Sequence, residues 1–384
     1  MKKASKYAAK TLKGLEGVLA EELQSLGATR TFEGRRVVFF EGNKELLYKA
    51  NLNVRTALNI LKPIEYFRFS SEQDLYDQFK KVVWGRYQDV EQSFAIRATV
   101  FSKAFNHTKF PALKLKDSIA DWFTDKFDRR PNVNIEKPDI GYDLHISNDK
   151  ATISLDSSGS LLNRRGYRID GWRAPLNEVL AAGLILLSKW DKKSEFDNLM
   201  CGSGTLAIEA ALIASNIPPN YKRKSYGFHN WPDYDNDLWL KVYGDAMAEV
   251  SERVKTVIRA NDISSNALRI SRQNATAAGV DDLIEFVGGD FSLCKPTKDH
   301  GVVLINPPYG ERISVREIDK LYKRLGDHLK KAYTGFQAWL ISSNNPALKS
   351  IGLSSSQKIT IFNGKLETQF VNFGLYTGSK KKRQ

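Results

Sequence analysis

Cysteine is nearly absent from this chain: only Cys201 and Cys294 occur, far apart and without metal-ligand spacing. That excludes a disulfide framework and a cysteine-based structural zinc, and it fits a reducing cytoplasm. The histidines, His107, His145, His229, His300 and His328, are scattered and suggest no ligand set, so no metal is expected. No run of about 18 apolar residues is present to cross a membrane as a helix. The first residues are basic but lead into no apolar core of a secretory signal, and they read instead as a polar amphipathic helix.

Positive charge is abundant. The chain carries 58 Lys and Arg against 44 Asp and Glu, a formal net charge of +14 spread over its whole length. Such a balance favours a polyanionic partner, although soluble proteins without one also carry it. With 384 residues, 42% of them hydrophobic, the chain can build at least two cores, and two or three domains are expected.

Periodicity divides the chain. Leu12, Leu15, Leu19, Leu23 and Leu26 recur at helical spacing and stop at Gly27. A strand at 36–40, a helix at 45–51 and a strand at 57–64 complete a small α+β module over residues 1–65. A second α+β module follows over 66–157, with helices at 72–83 and 114–127 and strands at 93–99, 141–147 and 150–156. Between its elements Lys103, His107 and Lys109 alternate with Phe101, Phe105 and Phe110. Rings that stack on bases beside cations that neutralise phosphate suit RNA, although a partly buried loop with solvated lysines reads equally well. Residues 158–170, with Arg164, Arg165 and Arg168, read as a basic linker. From 171 to 384 apolar strands and helices alternate, which predicts a doubly wound parallel α/β sheet, and Asn363-Gly364 marks a closing antiparallel hairpin. The tail at 380–383 reads as a solvated basic end.

Two turns carry chemistry. Cys201-Gly202-Ser203-Gly204-Thr205 joins a strand to an apolar helix, where glycines let the backbone approach a ligand. A phosphate-binding loop would need Lys after Gly204, and a dinucleotide site would need an acid about 20 residues on, where Tyr221-Lys222-Arg223-Lys224 stands instead. Asp262, at the end of the next strand, can accept the two hydroxyls of a ribose, with a capping Asp as the lesser reading, and Asp290 can accept from an adenine amine but reads equally as a surface-turn Asp. After the apolar strand 301–305 comes Asn306-Pro307-Pro308-Tyr309. Its prolines set a rigid extended turn without donors, so Asn306 Oδ1 and the Pro307 carbonyl can hold an exocyclic amine while Tyr309 stacks on the base.

Together with Arg165-Gly166-Tyr167-Arg168, Ala174-Pro175-Leu176-Asn177-Glu178 and the Trp-rich stretch around Asn230-Trp231-Pro232-Asp233-Tyr234, these turns resemble the large-subunit rRNA guanine-N2 methyltransferases that carry a THUMP domain. The resemblance implies ferredoxin-like and THUMP modules ahead of a Rossmann-like class I methyltransferase domain. It further implies S-adenosylmethionine as cofactor, with Glu178 near it, and large-subunit rRNA or its precursor particle as partner. One departure stands out: Asn198-Leu199 replaces the Asp-Pro that the family has ahead of the glycine turn, and Asp197 should point to the opposite face of the strand. Two other readings stay open, an adenine-N6 methyltransferase of DNA or RNA and a non-catalytic RNA-binding assembly factor with the methyltransferase fold.

Overall fold

The protein's structure, a computed structural model, describes residues 4–376 apart from 106, 108, 170–174, 252–253 and 309–314. Tyr309, Ala174 and the tail at 380–383 therefore lie outside the described residues. The chain folds as two compact units that trade segments: one comprises Met1–Thr11, Ala20–Leu162 and Lys222–Gly244, the other Leu12–Leu19, Asn163–Tyr221 and Asp245–Gln384.

In chain order the first half runs β1 Ser5–Lys10, α1 Glu16–Ser25, β2 Arg30–Gly34, β3 Val37–Gly42, α2 Lys44–Asn53, β4 Asn59–Arg68, α3 Glu72–Lys80, β5 Phe94–Phe101, α4 Phe110–Phe127, β6 Ile140–Ser147 and β7 Lys150–Asp156. The two expected α+β modules share one seven-stranded sheet, ordered β2-β3-β1-β4-β7-β6-β5. Their junction is the antiparallel pairing of β4 with β7, whose register shifts between Pro63 and Glu65; a proline cannot donate to a ladder, so an irregularity there is expected. The N-terminus corrects the reading of a helix from the start. Residues 5–10 form a strand between β3 and β4, with Tyr7, Ala8 and Ala9 buried, and that central position overrides local helical preference. The helix begins only at Glu16 and ends before Gly27, whose φ of 101° a side chain would disfavour.

The basic linker also needs correction. Ser157 and Ser158 are buried, their hydroxyls bonded to Asn51 at 2.9 and 2.7 Å, and Leu162 N donates to Leu58 O. Residues 158–162 therefore belong to the first unit's packing.

The second half contains α5 Glu178–Leu187, β8 Glu195–Leu199, α6 Thr205–Ala214, α7 Asn236–Ala248, β9 Ile258–Asp262, α8 Ser265–Ala278, β10 Ile284–Gly288, β11 Gly301–Ile305, α9 Val315–Ala332, β12 Phe336–Ser342, α10 Asn345–Ser350, β13 Gln357–Asn363 and β14 Leu366–Gly374. Its sheet is ordered β10-β9-β8-β11-β12-β14-β13, parallel from β10 to β12 and antiparallel at β14 and β13. This is the expected Rossmann-like sheet with its closing hairpin. Asn363 pairs with Leu366, so the turn itself is Gly364-Lys365.

β8 and β11 are buried at every position, as central parallel strands covered on both faces must be. On one face Ile318, Tyr322, Leu325 and Leu329 of α9 join Val303 and Ile305 of β11 in a single core. After β8 the chain moves outward to β9 and β10 on one side and returns to β11 and β12 on the other. The strand order therefore reverses between β8 and β11, where open α/β sheets form their ligand crevice at the carboxyl ends.

Candidate active site

The turn after β8 takes three left-handed positions in five residues: Met200 at φ 58°, Gly202 at 57° and Gly204 at 80°. Gly204 is obligatory, because a Cβ there would collide with the Ser271 hydroxyl of α8. Gly204 N donates to Cys201 O at 2.9 Å, and Cys201 N donates to Asn261 O at 2.8 Å. No side chain caps α6, which starts at Thr205, so the turn delivers backbone rather than side chains to the crevice. The Ser203 and Thr205 hydroxyls lie 3.3 Å apart.

Asp262, the last residue of β9, braces this turn. Its Oδ2 accepts from Gly202 N and its Oδ1 from Ser264 N, both at 2.9 Å. Each carboxylate oxygen retains acceptor capacity, so the group can pin the turn and still take two hydroxyls. Asn274, buried in α8, was not anticipated. Its Nδ2 donates to Ser203 O at 3.0 Å and its Oδ1 accepts from Ile169 N at 2.9 Å. The only available signal was a polar residue on the apolar stripe of α8.

Burial, and after it the charge of Asp262, push the Cys201 thiol up, away from the thiolate that a nucleophile needs. Asn198 and Asp197 face opposite ways, as the pleat requires. Asp197 is held by Arg259 and Tyr333. Asn198 Nδ2 donates to Leu304 O at 3.0 Å, while its Oδ1 is buried with no hydrogen-bond partner among the described residues.

Glu178 opens α5, whose N-cap Asn177 accepts from Val179 N and Leu180 N. The Glu178 carboxylate is bonded by Arg168 Nε at 2.9 Å, and Arg168 also donates to Leu176 O. Asp290 accepts from Ser292 N and Oγ, and both its oxygens lie 3.0 Å from an Arg324 nitrogen. Burial opposes its charge, but these bonds hold the carboxyl below its ordinary value. Its acceptor capacity for an amine is correspondingly smaller than the sequence suggested.

Asn306 follows β11 directly, and because Ile305 pairs with Leu199 it emerges beside the glycine turn. Its Oδ1 is buried with no hydrogen-bond partner among the described residues. Pro307 is buried and Pro308 exposed. A desolvated acceptor without a donor costs stability in the folded chain, and a donor brought by a ligand or a water removes that cost.

Of the residues expected to touch RNA, Lys103, His107, Lys109 and Arg164 are exposed. Arg165 is a correction: its side chain is 1% exposed and faces the fully buried Glu209, which also accepts from Tyr167 OH at 3.0 Å. A cation buried against a carboxylate is not available to phosphate. Arg168 is largely committed to Glu178. Among the described residues no cluster of metal-ligating side chains occurs, and no described helix is long and apolar enough to cross a membrane.

The bracing by Asp262 yields a direct expectation. Asp262→Ala should weaken binding of an adenosine cofactor by about 1.5–3 kcal/mol, the scale of hydrogen bonds to a charged group, as read by calorimetry with S-adenosylmethionine. Unchanged affinity in a folded variant would remove Asp262 from the site.

Residues 165–372 match the RMKL-like methyltransferase domain, residues 69–156 a THUMP domain, and residues 6–61 the RlmL ferredoxin-like domain. Ribosomal RNA large subunit methyltransferase K/L of Syntrophotalea carbinolica is 35% identical over 381 residues, covering 96% of this chain and 53% of that protein. The chain spans about half the length of such K/L relatives. A protein of Synechocystis named as an RNA methyltransferase is 34% identical over 96% of this chain and 97% of its own length. A crystal structure named as that of a methyltransferase complexed with SAH superposes with a TM-score of 0.89 at 27% identity, over 99% of this chain and 100% of that one. A glycine turn, a carboxylate behind it and an Asn-Pro-Pro turn at the switch point are thus found in a chain that belongs to the RMKL-like methyltransferase family, with ferredoxin-like and THUMP domains ahead of its catalytic domain.

Proposed function

We propose that the protein transfers a methyl group from S-adenosylmethionine to guanine N2 in large-subunit ribosomal RNA. The observation that carries this reading is Asn306 Oδ1, a buried acceptor without a partner among the described residues, at the end of β11 and beside the glycine turn. The donor set fits the cofactor: left-handed glycines admit its backbone-bound end, and Asp262 has capacity left for ribose hydroxyls. Glu178, Asn198, Cys201, Ser203, Thr205 and Asp290 complete the proposed cofactor surround.

When bound, the cofactor supplies an electrophilic methyl group on a positively charged sulfur. The residues of this chain contribute alignment. Asn306 Oδ1 and the Pro307 carbonyl accept the two N–H groups of the base amine, which directs its lone pair outward and stabilises positive charge growing on nitrogen. Pro308 stiffens the turn, and Tyr309 is assigned to stacking on the base from the motif alone. Burial pushes both the Cys201 and the Cys294 thiols up, which disfavours a thiolate-linked intermediate.

The division of labour is residues 1–65 ferredoxin-like, 66–157 THUMP and 171–384 methyltransferase apart from Lys222–Gly244, which packs with the first unit, with the basic connection beginning after Leu162 and with Lys103, His107, Lys109 and Arg164 meeting RNA. The names of the K/L relatives support ribosomal RNA as substrate, and with it the cytoplasm as the proposed place of the reaction. Mass spectrometry of nucleosides from large-subunit rRNA tests the product. A strain lacking this protein should have lost one N2-methylguanosine. Loss of N6-methyladenosine would replace the target base, and an unchanged profile would leave the assembly-factor reading in its place.

A further inference from the structure

The seven-stranded sheet of the first unit has one buried face and another that is buried at its middle, at Ala8, Leu61, Asp143, Ser154 and Asp156, and open towards its two ends. Tyr7, Phe40, Phe67 and Tyr142 point to the buried face, where Phe67 meets Phe79 of α3 with ring centroids 6.0 Å apart. Strand register defines the other face. It runs through the paired positions Phe32↔Phe39, Phe39↔Ala8, Ala8↔Leu61 and Leu61↔Asp156. It continues as one row Tyr66↔Thr152, Thr152↔His145 and His145↔Thr99, and a next row Arg68↔Lys150, Lys150↔Ser147 and Ser147↔Phe101.

Every exposed Phe or Tyr of the sheet's described strands lies on this face: Phe32 at 70%, Phe39 at 45%, Tyr66 at 57% and Phe101 at 66% exposure. The Phe101 ring stands edge-on to His145, 6.1 Å away. Aromatic rings left in water on a sheet that buries its other side call for a partner. Charge on the same face narrows its chemistry. The acids Asp143 and Asp156 are buried and already paired with Lys10 and Arg97. Arg68 and Lys150, by contrast, sit directly opposite each other, both exposed, with no ion pair among the described residues. Like charges at opposed positions destabilise a sheet, and an anion lying across them removes that cost.

We infer that the β4-β7-β6-β5 corner of this face is a stacking platform for unpaired bases of the RNA. Tyr66 and Phe101 lie against base rings while Arg68 and Lys150 hold the intervening phosphates, and Phe32 with Phe39 offers a second aromatic pair on the same face. Flat π-surfaces beside unpaired cations match single strands, whose bases are free to stack, better than duplex. The inference rests on RNA as the substrate.

The test is binding of the full chain to a single-stranded RNA of about 12 nucleotides carrying 2-aminopurine, against a blunt duplex of the same sequence. The unaltered protein should prefer the single strand and quench the probe. Tyr66→Leu with Phe101→Leu keeps the apolar bulk but removes the rings, and should lower single-strand affinity by about tenfold or more, with an unchanged salt slope. Arg68→Gln with Lys150→Gln should flatten that slope by about 1.4, the value for two lost phosphate contacts. Phe127→Leu, an exposed ring on α4 and not on a strand of the sheet, should change neither. Undiminished affinity and quenching in the folded Tyr66→Leu, Phe101→Leu variant overturns the platform and leaves the RNA reading standing. Failure of the unaltered protein to bind either RNA overturns both.

Discussion

Asn306→Ala should lower the single-turnover rate of methyl transfer by at least about a hundredfold, the usual consequence of losing a positioned polar group, while S-adenosylmethionine affinity stays nearly the same. The separation follows from placement. Asn306 stands at the end of β11, whereas the glycine turn and Asp262 stand at the ends of β8 and β9. The same substitution should leave thermal stability unchanged or slightly raised. A buried Oδ1 with no donor among the described residues contributes no hydrogen bond to them and loses its hydration. Rapid-quench transfer and a melting curve on one preparation supply both readouts. A variant with near-normal transfer would take Asn306 out of the mechanism, and a large loss of stability would show that its amide supports the fold.

A different loss is expected beneath the site. Arg259→Met should destabilise the second unit by about 3–5 kcal/mol, the cost of stranding buried charge, measured as the shift of its urea transition. Arg259 donates to Asp197 through Nε at 2.9 Å and a terminal nitrogen at 2.8 Å, to Lys295 O at 2.6 Å, and to Glu195. Glu195 and Asp197 are almost wholly buried. Burial pushes the Asp197 carboxyl up, against the pull of Arg259 and the bond from Tyr333 OH at 2.7 Å. Glu195 also accepts from Thr297 N and Lys298 N, which ties the 297–298 segment to β8. Replacing both acids by Leu in the Arg259→Met background should recover much of the loss, because an apolar cluster of similar volume carries no stranded charge. A small effect of the single substitution would mean that water reaches the pair.

Much of the second unit was legible because its signals are local. Parallel strands such as Gly301–Ile305 are continuous apolar runs, the glycines of the turn after Leu199 sit at the left-handed positions that demand them, and Asn306-Pro307-Pro308 is rigid whatever surrounds it. The opposite facing of Asp197 and Asn198 followed from the two-residue period of a strand. The first unit was less legible. β1 and the edge strand β2 carry Lys, Arg and Gly in place of clean alternation, so their existence depends on neighbours distant in sequence. Arg165 and Arg168 looked like free cations because Glu209 and Glu178 lie 44 and 10 residues further on, and only folding brings the carboxylates to them.

By itself the sequence determined the family and the backbone of the two turns: glycines that permit left-handed positions after Leu199 and prolines that stiffen the turn after Asn306 are signals carried by neighbouring residues, and with the motifs around them they give the resemblance to the methyltransferases. The tertiary structure alone decided which groups are available to a ligand. Availability depends on burial and on partners far away in the chain: Asn306 Oδ1 has no donor among the described residues, Asp290 is partly engaged by Arg324, Arg165 is withdrawn against Glu209, and Tyr66 and Phe101 are left in water on one face of a sheet whose register no local pattern encodes.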